Sequence, residues 1–209
     1  LPIALLFNRD LLSVMFSDEF PGIAGLTGPF VLLVLCGIAT TNIISAPSIS
    51  LEGKNLWIAQ SIPVKASDVL MSKAFTHMTV CLPSVLFAGV MLNLILDINP
   101  LTRVLLFLTP AALTVFQAMF GVAVNLRFPK FDWISEMIAV KQGASTLIAM
   151  FGAMALVALP TILYASALSS LIRPEIYIAL VTVLIAALAA GLYVFLKTKG
   201  SKMFAALSA

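Results

Sequence analysis

Five long runs without a charged residue constrain this chain more than any other feature. They cover residues 20–51, 74–96, 104–126, 142–172 and 176–196. Each run reaches or exceeds the roughly 20 residues that an α-helix needs to cross about 30 Å of hydrocarbon. The runs do not alternate polar and apolar residues at every second position, as the strands of a membrane barrel do. The sequence therefore predicts an all-α fold, a polytopic bundle of transmembrane helices.

Trimmed to their most apolar parts, the runs predict five spans in one transmembrane domain that covers residues 1–209. The approximate bounds of the spans are 29–47, 74–96, 103–125, 143–169 and 175–196. Residues 1–7 are also apolar, but Arg9 and Asp10 soon interrupt them. We expect residues 1–7 to be the tail of an earlier helix in a longer chain, which would make six spans.

The composition is that of a protein with most of its mass in lipid. Of the 209 residues, 61% are hydrophobic and 10% are charged, whereas a soluble domain carries about 25% charged residues. One soluble core cannot enclose so much apolar side chain, because too little polar surface would remain to face water. Cys36 and Cys81 both lie within apolar runs, which favours a role as small hydrophobic residues over a disulfide or a metal site.

The positions of the basic residues predict how the bundle is oriented. Nine of the twelve lysines and arginines fall in the loops 48–73 and 126–142 and in the tail 197–209. These three segments share one side of the predicted bundle, and loops on the cytoplasmic side carry an excess of Lys and Arg. We therefore expect a multi-pass protein whose two longest loops and C-terminus are cytoplasmic.

The loop 48–73 contains a short amphipathic pattern between two spans. Residues 55–61 can form a helix, and Pro63 ends it because its ring cannot continue the hydrogen-bond ladder. One interpretation is an interfacial anchor, with Trp57 at the level of the lipid headgroups. The other interpretation is a rigid lever on which a cytoplasmic partner pushes.

The loop 126–142 permits the same two interpretations. Pro129 breaks the preceding helix, and Phe128, Phe131 and Trp133 are typical of a membrane interface. The loop is either an anchor with a solvated face or a second contact for a partner.

The spans contain few groups that could carry chemistry. His77 is the only histidine, and a lone histidine in a span more often bonds to a neighbouring helix than relays protons. No acidic residue lies in the middle of a span, which disfavours a transporter coupled to protons or sodium. No cluster of residues predicts a metal site or a catalytic site, so we do not expect an enzyme. Gln117 and Tyr164 are candidates to line the path of an amphipathic substrate.

The loop 48–73 also carries a resemblance to a known family. Its features follow one another as Glu52-Gly53, a helix with Leu56 and Gln60, then Ile62-Pro63-Val64, Val69-Leu70 and Lys73. In this order they resemble the first cytoplasmic loop of ABC-2 type transporter permeases, the membrane subunits of bacterial ABC exporters. Residues 125–133 and 140–143 are similar to a later cytoplasmic loop of the large two-half members of that family, and residues 39–46 are similar to their second half.

The resemblance implies the C-terminal half of a longer permease in the bacterial cytoplasmic membrane, which exports a lipid-like, peptide or drug-like substrate. In that family the short helix docks in a groove of a separate ATP-binding subunit. The implied contacts of this coupling helix are Glu52, Gly53, Leu56, Trp57, Gln60, Ile62 and Pro63. A second set of implied contacts, in the next loop, comprises Arg127, Phe128, Pro129 and Trp133.

The resemblance also implies where the nucleotide is bound. The only Gly-Ser-Lys of the chain, at 200–202, lacks the upstream glycine of a phosphate-binding loop. We expect no cofactor in this chain, and ATP and magnesium in the partner ATPase. Other expected partners are a second copy or another permease half, and membrane lipid, whereas nucleic acid is not expected. The alternatives are a secondary transporter or channel without an ATPase, and a membrane scaffold that transports nothing.

Overall fold

The computed structural model describes residues 27–95, 99–141 and 143–207, and every regular element among them is helical. In chain order the helices are α1 (Thr27–Thr40), α2 (Leu56–Ser61), α3 (Ala66–Ile95), α4 (Pro100–Arg127), α5 (Glu136–Lys141), α6 (Ala144–Leu163), α7 (Pro174–Phe195) and α8 (Ser201–Ala205). A 3₁₀ turn at Ser50–Asn55 leads into α2, and π-helical turns follow α6 at Tyr164–Leu168 and join α7 to α8 at Leu196–Gly200. The predicted all-α fold is confirmed.

Four of these helices are long and apolar enough to cross a membrane. They are Ala66–Leu94, Pro100–Arg127, Ala144–Leu168 and Pro174–Ala205. The chain is thus a membrane protein by the length and composition of its helices, and its fold is a polytopic bundle. The predicted spans 74–96 and 103–125 fall in helices that begin earlier than the sequence indicates. Residues 197–205, predicted as a tail, instead continue the last helix.

The first predicted span differs most from the structure. It was expected at 29–47, but α1 ends at Thr40, and its fourteen described residues rise only about 21 Å. Thr40 and Thr41 turn their hydroxyls back onto the carbonyls of Gly37 and Ile38, a local bond that competes with continued helix. The residues 41–49 then form an irregular loop. The earlier helix expected at 1–7 lies outside the described residues.

Helix α4 is the centre of the bundle. Of its most apolar stretch 61% is buried, against 28% or less for the other three long helices. Asn99 caps its start by accepting a hydrogen bond from the Leu101 N–H through its side chain, which satisfies a donor that the first turn leaves open. One face of α4 packs with α1, α6 and α7 around Leu32, Leu113 and Ile178.

A second apolar cluster lies at the end of the bundle where α4 finishes. It joins residues from the loop 41–55, α2, α3, α4 and the end of α7 through α8. Its fully buried members are Ile49, Leu56, Leu70, Ala74, Ala118, Val122, Leu196 and Phe204. We call this end of the bundle, where the loops 48–73 and 126–142 meet α8, the junction end.

Candidate functional site

The irregular loop 41–49 is buried against α4, which is possible because α4 supplies the polar partners that its backbone needs. The side-chain amide of Gln117 donates to the carbonyls of Thr40 (2.9 Å) and Asn42 (3.0 Å). Gln117 lies ten residues before Arg127, or about 15 Å along the helix axis. Non-helical backbone this far inside a membrane span is tolerated only where protein groups satisfy its hydrogen bonds. Gln117 therefore holds the end of α1 in place.

Gly121 allows the loop 41–49 to approach α4 this closely. A Cβ atom at this position would lie 2.3 Å from the Ser45 hydroxyl and 2.9 Å from the Ala46 nitrogen, well inside van der Waals contact. On the other side of the loop, the Ser45 N–H donates to Nδ1 of His77 at 3.3 Å. The sequence favours a bond from His77 to a neighbouring helix, and the structure instead places its partner in the loop 41–49.

Asn125 fastens the next part of the loop to α4 through both ends of its side-chain amide. Its Oδ1 accepts hydrogen bonds from the N–H groups of Ile49 (2.7 Å) and Ser50 (3.0 Å). Its Nδ2 donates to the hydroxyls of Ser50 (2.7 Å) and of Ser145 (3.0 Å) at the start of α6. Asn125 and Ser50 are both buried. One side chain thus ties the loop 41–55 to α4 and α6.

Ser50 is also where the two predicted contact loops meet. Its hydroxyl accepts a hydrogen bond from the Lys130 N–H at 2.9 Å, and its carbonyl accepts one from the Trp133 indole at 2.7 Å. The Trp133 ring covers Gly53, where a Cβ atom would lie 3.0 Å from Cζ2 of the ring. Gly53 has a φ of +49°, a conformation that residues with a side chain rarely adopt. The backbone turns sharply there and leads into α2.

An ion pair connects the start of this turn to α3. The Lys73 ammonium pairs with the Glu52 carboxylate and also donates to the Ser48 carbonyl at 3.1 Å. Both side chains are largely shielded from solvent. Glu52 and Lys73, which the family resemblance sets at the two ends of the loop, are therefore in direct contact.

Helix α2 has one buried side and one exposed side. Leu56 is 1% exposed and packs in the cluster at the junction end, whereas Trp57 is 65% exposed. Ile58, Ile62, Pro63 and Val64 are exposed as well, so residues 57–64 present an apolar surface. The helix ends at Ser61 because Ile62 is extended, which agrees with the predicted effect of Pro63.

The C-terminal part of the last helix is fastened to α2. Gln60 donates from Nε2 to the carbonyls of Phe204 (2.9 Å) and Leu207 (3.0 Å). Phe204 is fully buried in the same cluster as Leu56. Of the residues predicted to contact a partner, Leu56 and Gln60 are thus engaged within this chain, and Trp57, Ile62 and Pro63 are exposed.

The predicted contacts of the second loop also divide into two kinds. Trp133 is engaged with Ser50 and Gly53, and the backbone N–H of Phe128 bonds to the Val124 carbonyl and so closes the last turn of α4. The side chains of Arg127 and Phe128 are exposed, and that of Pro129 is half-buried. Through Lys130 and Trp133 this loop lies against Ser50, in the 3₁₀ turn that leads into α2.

The two residues predicted to line a substrate path are buried within this chain. The side-chain amide of Gln117 donates its hydrogen bonds to backbone carbonyls at the end of α1. Tyr164 donates from its hydroxyl to the Ile172 carbonyl at 3.0 Å, and its ring stacks on Tyr177 with centroids 4.4 Å apart. Neither side chain faces open space in this structure, and a path-lining role for Gln117 and Tyr164 stays a prediction.

Comparison with known proteins places the chain in a family. Residues 29–202 match the model of a family described as "Putative ATP-binding cassette". The chain belongs to this ATP-binding cassette family. The match takes in all but the first two residues of α1 and continues to the start of α8, and so includes α2 and the whole loop 48–73. No curated protein and no solved structure matches the chain.

Membership in the ATP-binding cassette family links the chain to ABC transporters in general. The family's description does not name a permease, and by its wording it refers to the ATP-binding part of such a transporter. The resemblance to ABC-2 type permeases is therefore supported only at the level of the ABC transporter.

Proposed function

We propose that this chain is the membrane-spanning permease subunit of an ABC transporter, driven by a separate ATP-binding subunit that docks on α2. Two findings support the proposal. The matched family concerns ATP-binding cassettes, and four of the described helices have the length and composition of membrane spans. A chain that combines the two fits the part of an ABC transporter that lies in the membrane.

The division of α2 into a buried and an exposed side carries the proposal. The exposed side offers a partner an apolar binding surface formed by Trp57, Ile58 and Ile62. Aromatic residues are enriched where proteins bind each other. Leu56 meanwhile inserts among residues of α3, α4 and the end of α7. Close-packed interiors transmit displacements, so a push on α2 would reach three long helices.

The lever would work without any nucleotide chemistry in this chain. An ATP-binding subunit that closes on ATP pushes on the surface of residues 57–64. The Glu52–Lys73 pair carries the movement to α3, and the Gln60 contacts carry it to α8 at the end of the last helix. The free energy comes from the different affinity of nucleotide for the closed and open states of that subunit. ATP and magnesium are accordingly assigned to the partner, and the exported substrate to the lipid-like, peptide or drug-like class.

The wording of the matched family favours a second candidate, namely that this chain itself binds ATP. The 209 residues contain no G-x-x-x-x-G-K-[ST] sequence, the loop whose backbone N–H groups hold the phosphates in most ATP-binding subunits. Photolabelling of the purified chain with an azido derivative of ATP separates the candidates. Labelling that unmodified ATP displaces would support nucleotide binding by this chain, and labelling only of a co-purified subunit would support the permease.

Co-purification of an affinity-tagged full-length chain from its native membrane tests the permease directly. We expect a subunit with a Walker-type ATP-binding sequence to be retained, and we expect Trp57→Asp and Ile62→Asp to release it. Leu56→Asp is a poor test, because Leu56 is buried and its loss would unfold the junction end.

Leu171→Asp is the matched control for these variants. Leu171 is 77% exposed in the turn between α6 and α7, at the opposite end of the bundle from α2. Retention of the ATP-binding subunit by Leu171→Asp together with its release by Trp57→Asp supports docking on α2. If no ATP-binding subunit is retained by the unaltered chain, the proposal fails.

A further inference from the structure

Helices α4 and α7 run side by side toward the junction end and form the two opposing walls of a groove. A hydrogen bond between the hydroxyls of Thr109 and Thr182 (2.6 Å) joins the two helices about one turn before the groove begins. The walls include Ala112, Val115 and Met119 of α4 and Ala186, Ala190 and Tyr193 of α7. The volume of the groove is about 350 Å³, which is within the range of sites that hold a small molecule.

The junction end of this groove carries a positive charge. Tyr193 is the last wall residue of α7, and Lys197 follows it by one turn. Side chains of a helix tilt toward its N-terminus, and the Lys197 ammonium accordingly lies 4.5 Å from the centre of the Tyr193 ring. An ammonium has three N–H donors, and within the part of the chain that the structure describes Lys197 forms no ion pair. The groove therefore ends at a cation that can still bind an anion.

The charges around Lys197 favour an anion as well. Asp68 of α3 is close enough to act on Lys197 electrostatically. Lys199 and Lys202 follow in the same helix, within about 8 Å of Lys197 along the axis, and all three lysines are exposed. Three positive charges against one negative charge leave this end of the groove net positive.

The length of the groove matches one leaflet of a bilayer. From Ala186 to Lys197 the helix advances by eleven residues, or about 16 Å. The hydrocarbon core is about 30 Å thick, so one leaflet contributes about 15 Å. A transmembrane helix packed on this side would need a contact surface through both leaflets. A phospholipid has the dimensions of the groove, because its acyl chain is one leaflet deep and its charged headgroup lies at the surface.

We propose that this groove binds one acyl chain of an anionic phospholipid, whose headgroup phosphate contacts Lys197. The apolar walls accept the chain, and the lysine stem follows the apolar surface while its ammonium reaches the headgroup level. The basic residues of the junction end lead us to expect it on the cytoplasmic side, where the leaflet contains anionic lipids that attract lysines near the surface. The site belongs to α4 and α7 alone and does not depend on the proposed permease function.

Photolabelling of the full chain in phosphatidylcholine nanodiscs tests the binding. The probes are phosphatidylglycerol and phosphatidylcholine that carry the same diazirine-bearing acyl chain, each added in a small amount. We expect the phosphatidylglycerol probe to label the peptide that contains residues 186–193 about fivefold more than the phosphatidylcholine probe, which is the preference that one lysine near the membrane surface confers. Neither ATP nor an ATP-binding subunit is present.

A charge substitution tests the headgroup contact. Lys197→Gln keeps most of the side chain and removes its charge, and we expect the preference for the phosphatidylglycerol probe to fall about fivefold. Arg173→Gln is the matched control, because Arg173 is also exposed but lies at the opposite end of α7. Its preference should equal that of the unaltered chain.

A size substitution tests the chain contact. Ala190→Phe places a ring in the groove, and we expect labelling of the peptide by the phosphatidylglycerol probe to be lost. Ala187→Phe is the matched control, because Ala187 is an exposed alanine of the same helix that lies outside the groove walls. Both alanines are exposed, so neither variant disturbs the interior of the bundle.

Three outcomes would overturn the proposal. The first is equal labelling of the peptide by the two probes in the unaltered chain. The second is labelling that neither Lys197→Gln nor Ala190→Phe changes. The third is spontaneous disulfide formation between copies bearing Ala190→Cys in native membranes, which would show that a second copy of the chain covers the groove.

Discussion

Gln60 of α2 donates a 2.9 Å hydrogen bond from its side-chain amide to the backbone carbonyl of Phe204, which lies 144 residues later in the chain. The same nitrogen also reaches the Leu207 carbonyl. The last carbonyls of a helix lack their usual helical donors. The Phe204 carbonyl accepts one hydrogen bond from the Leu207 N–H at 3.3 Å, and Gln60 of α2 supplies a second donor. The end of the last helix is therefore fastened to α2.

Gln60→Leu should loosen the end of α8 without unfolding the bundle. The variant removes the donor to two carbonyls, so we expect amide hydrogen exchange in residues 201–207 to become about tenfold faster. Hydrogen exchange with mass spectrometry measures this in detergent or nanodiscs. Ser61→Ala is the control, because the Ser61 hydroxyl bonds only to the Ile58 carbonyl of its own helix. Equal exchange in Gln60→Leu and the unaltered chain would show that the contact does not hold α8.

Asn125→Leu should destabilise the protein strongly. It leaves the buried N–H groups of Ile49 and Ser50 without an acceptor, and we expect a loss of about 3 kcal/mol in the free energy of unfolding. For a chain of this size the midpoint of thermal unfolding would fall by roughly 9 °C.

The control for this variant is Asn93→Leu, since Asn93 donates only to the Gly89 carbonyl of its own helix. Thermal unfolding of both variants in the same detergent provides the comparison. A midpoint for Asn125→Leu within two degrees or so of that for Asn93→Leu, which is less than about 1 kcal/mol, would contradict the role given to Asn125.

Gly121→Ala should separate the loop 41–49 from α4. The added methyl group would overlap the Ser45 hydroxyl and the Ala46 backbone, and we expect a cost of about 2 kcal/mol from overpacking. Gly191→Ala is the control, because apart from its chain neighbours and the backbone of its own helix no atom lies within 4 Å of the position of its Cβ. There the change should stabilise the helix by about 0.5 kcal/mol. Equal unfolding midpoints of the two variants would mean that the loop has room to move away at no cost.

The two partners of the ion pair at the junction end should respond unequally. Lys73→Met removes the donor to Ser48 and leaves the Glu52 carboxylate partly buried without a partner, whereas Glu52→Gln leaves the bond from Lys73 to Ser48 in place. We expect Lys73→Met to cost about 1 kcal/mol more than Glu52→Gln. Chemical unfolding of both variants and of the double variant measures the difference, and equal costs would contradict the bond to Ser48.

The long spans could be predicted from the sequence because hydropathy and length decide them locally. The runs around 74–96 and 104–126 become α3 and α4, and the short helix predicted at 55–61 is present at Leu56–Ser61. The early end of α1 could not be predicted in this way. The residues that hold the loop 41–49, Gln117 and Gly121, lie more than 70 residues later, and hydropathy does not register such a contact.

The candidate site was predictable in part for the same reason. The resemblance points to residues 52–63. It does not predict that Leu56 is buried while Trp57 is exposed, because the burial of Leu56 depends on its packing against Phe204 and Leu70. Asn125 is the residue that sequence reasoning undervalued. An asparagine close to the end of an otherwise apolar span is a signal, because such a side chain needs several hydrogen-bond partners.

The most direct test of the central claim is a photo-crosslink from α2 to its partner in the native membrane. The photoreactive amino acid p-benzoylphenylalanine is placed at position 57, and in a control at position 148, where Ile148 is exposed on α6. The account predicts that irradiation joins position 57, and not position 148, to a subunit with a Walker-type ATP-binding sequence. Crosslinks from position 57 to lipid alone, in membranes that contain the assembled transporter, would contradict it.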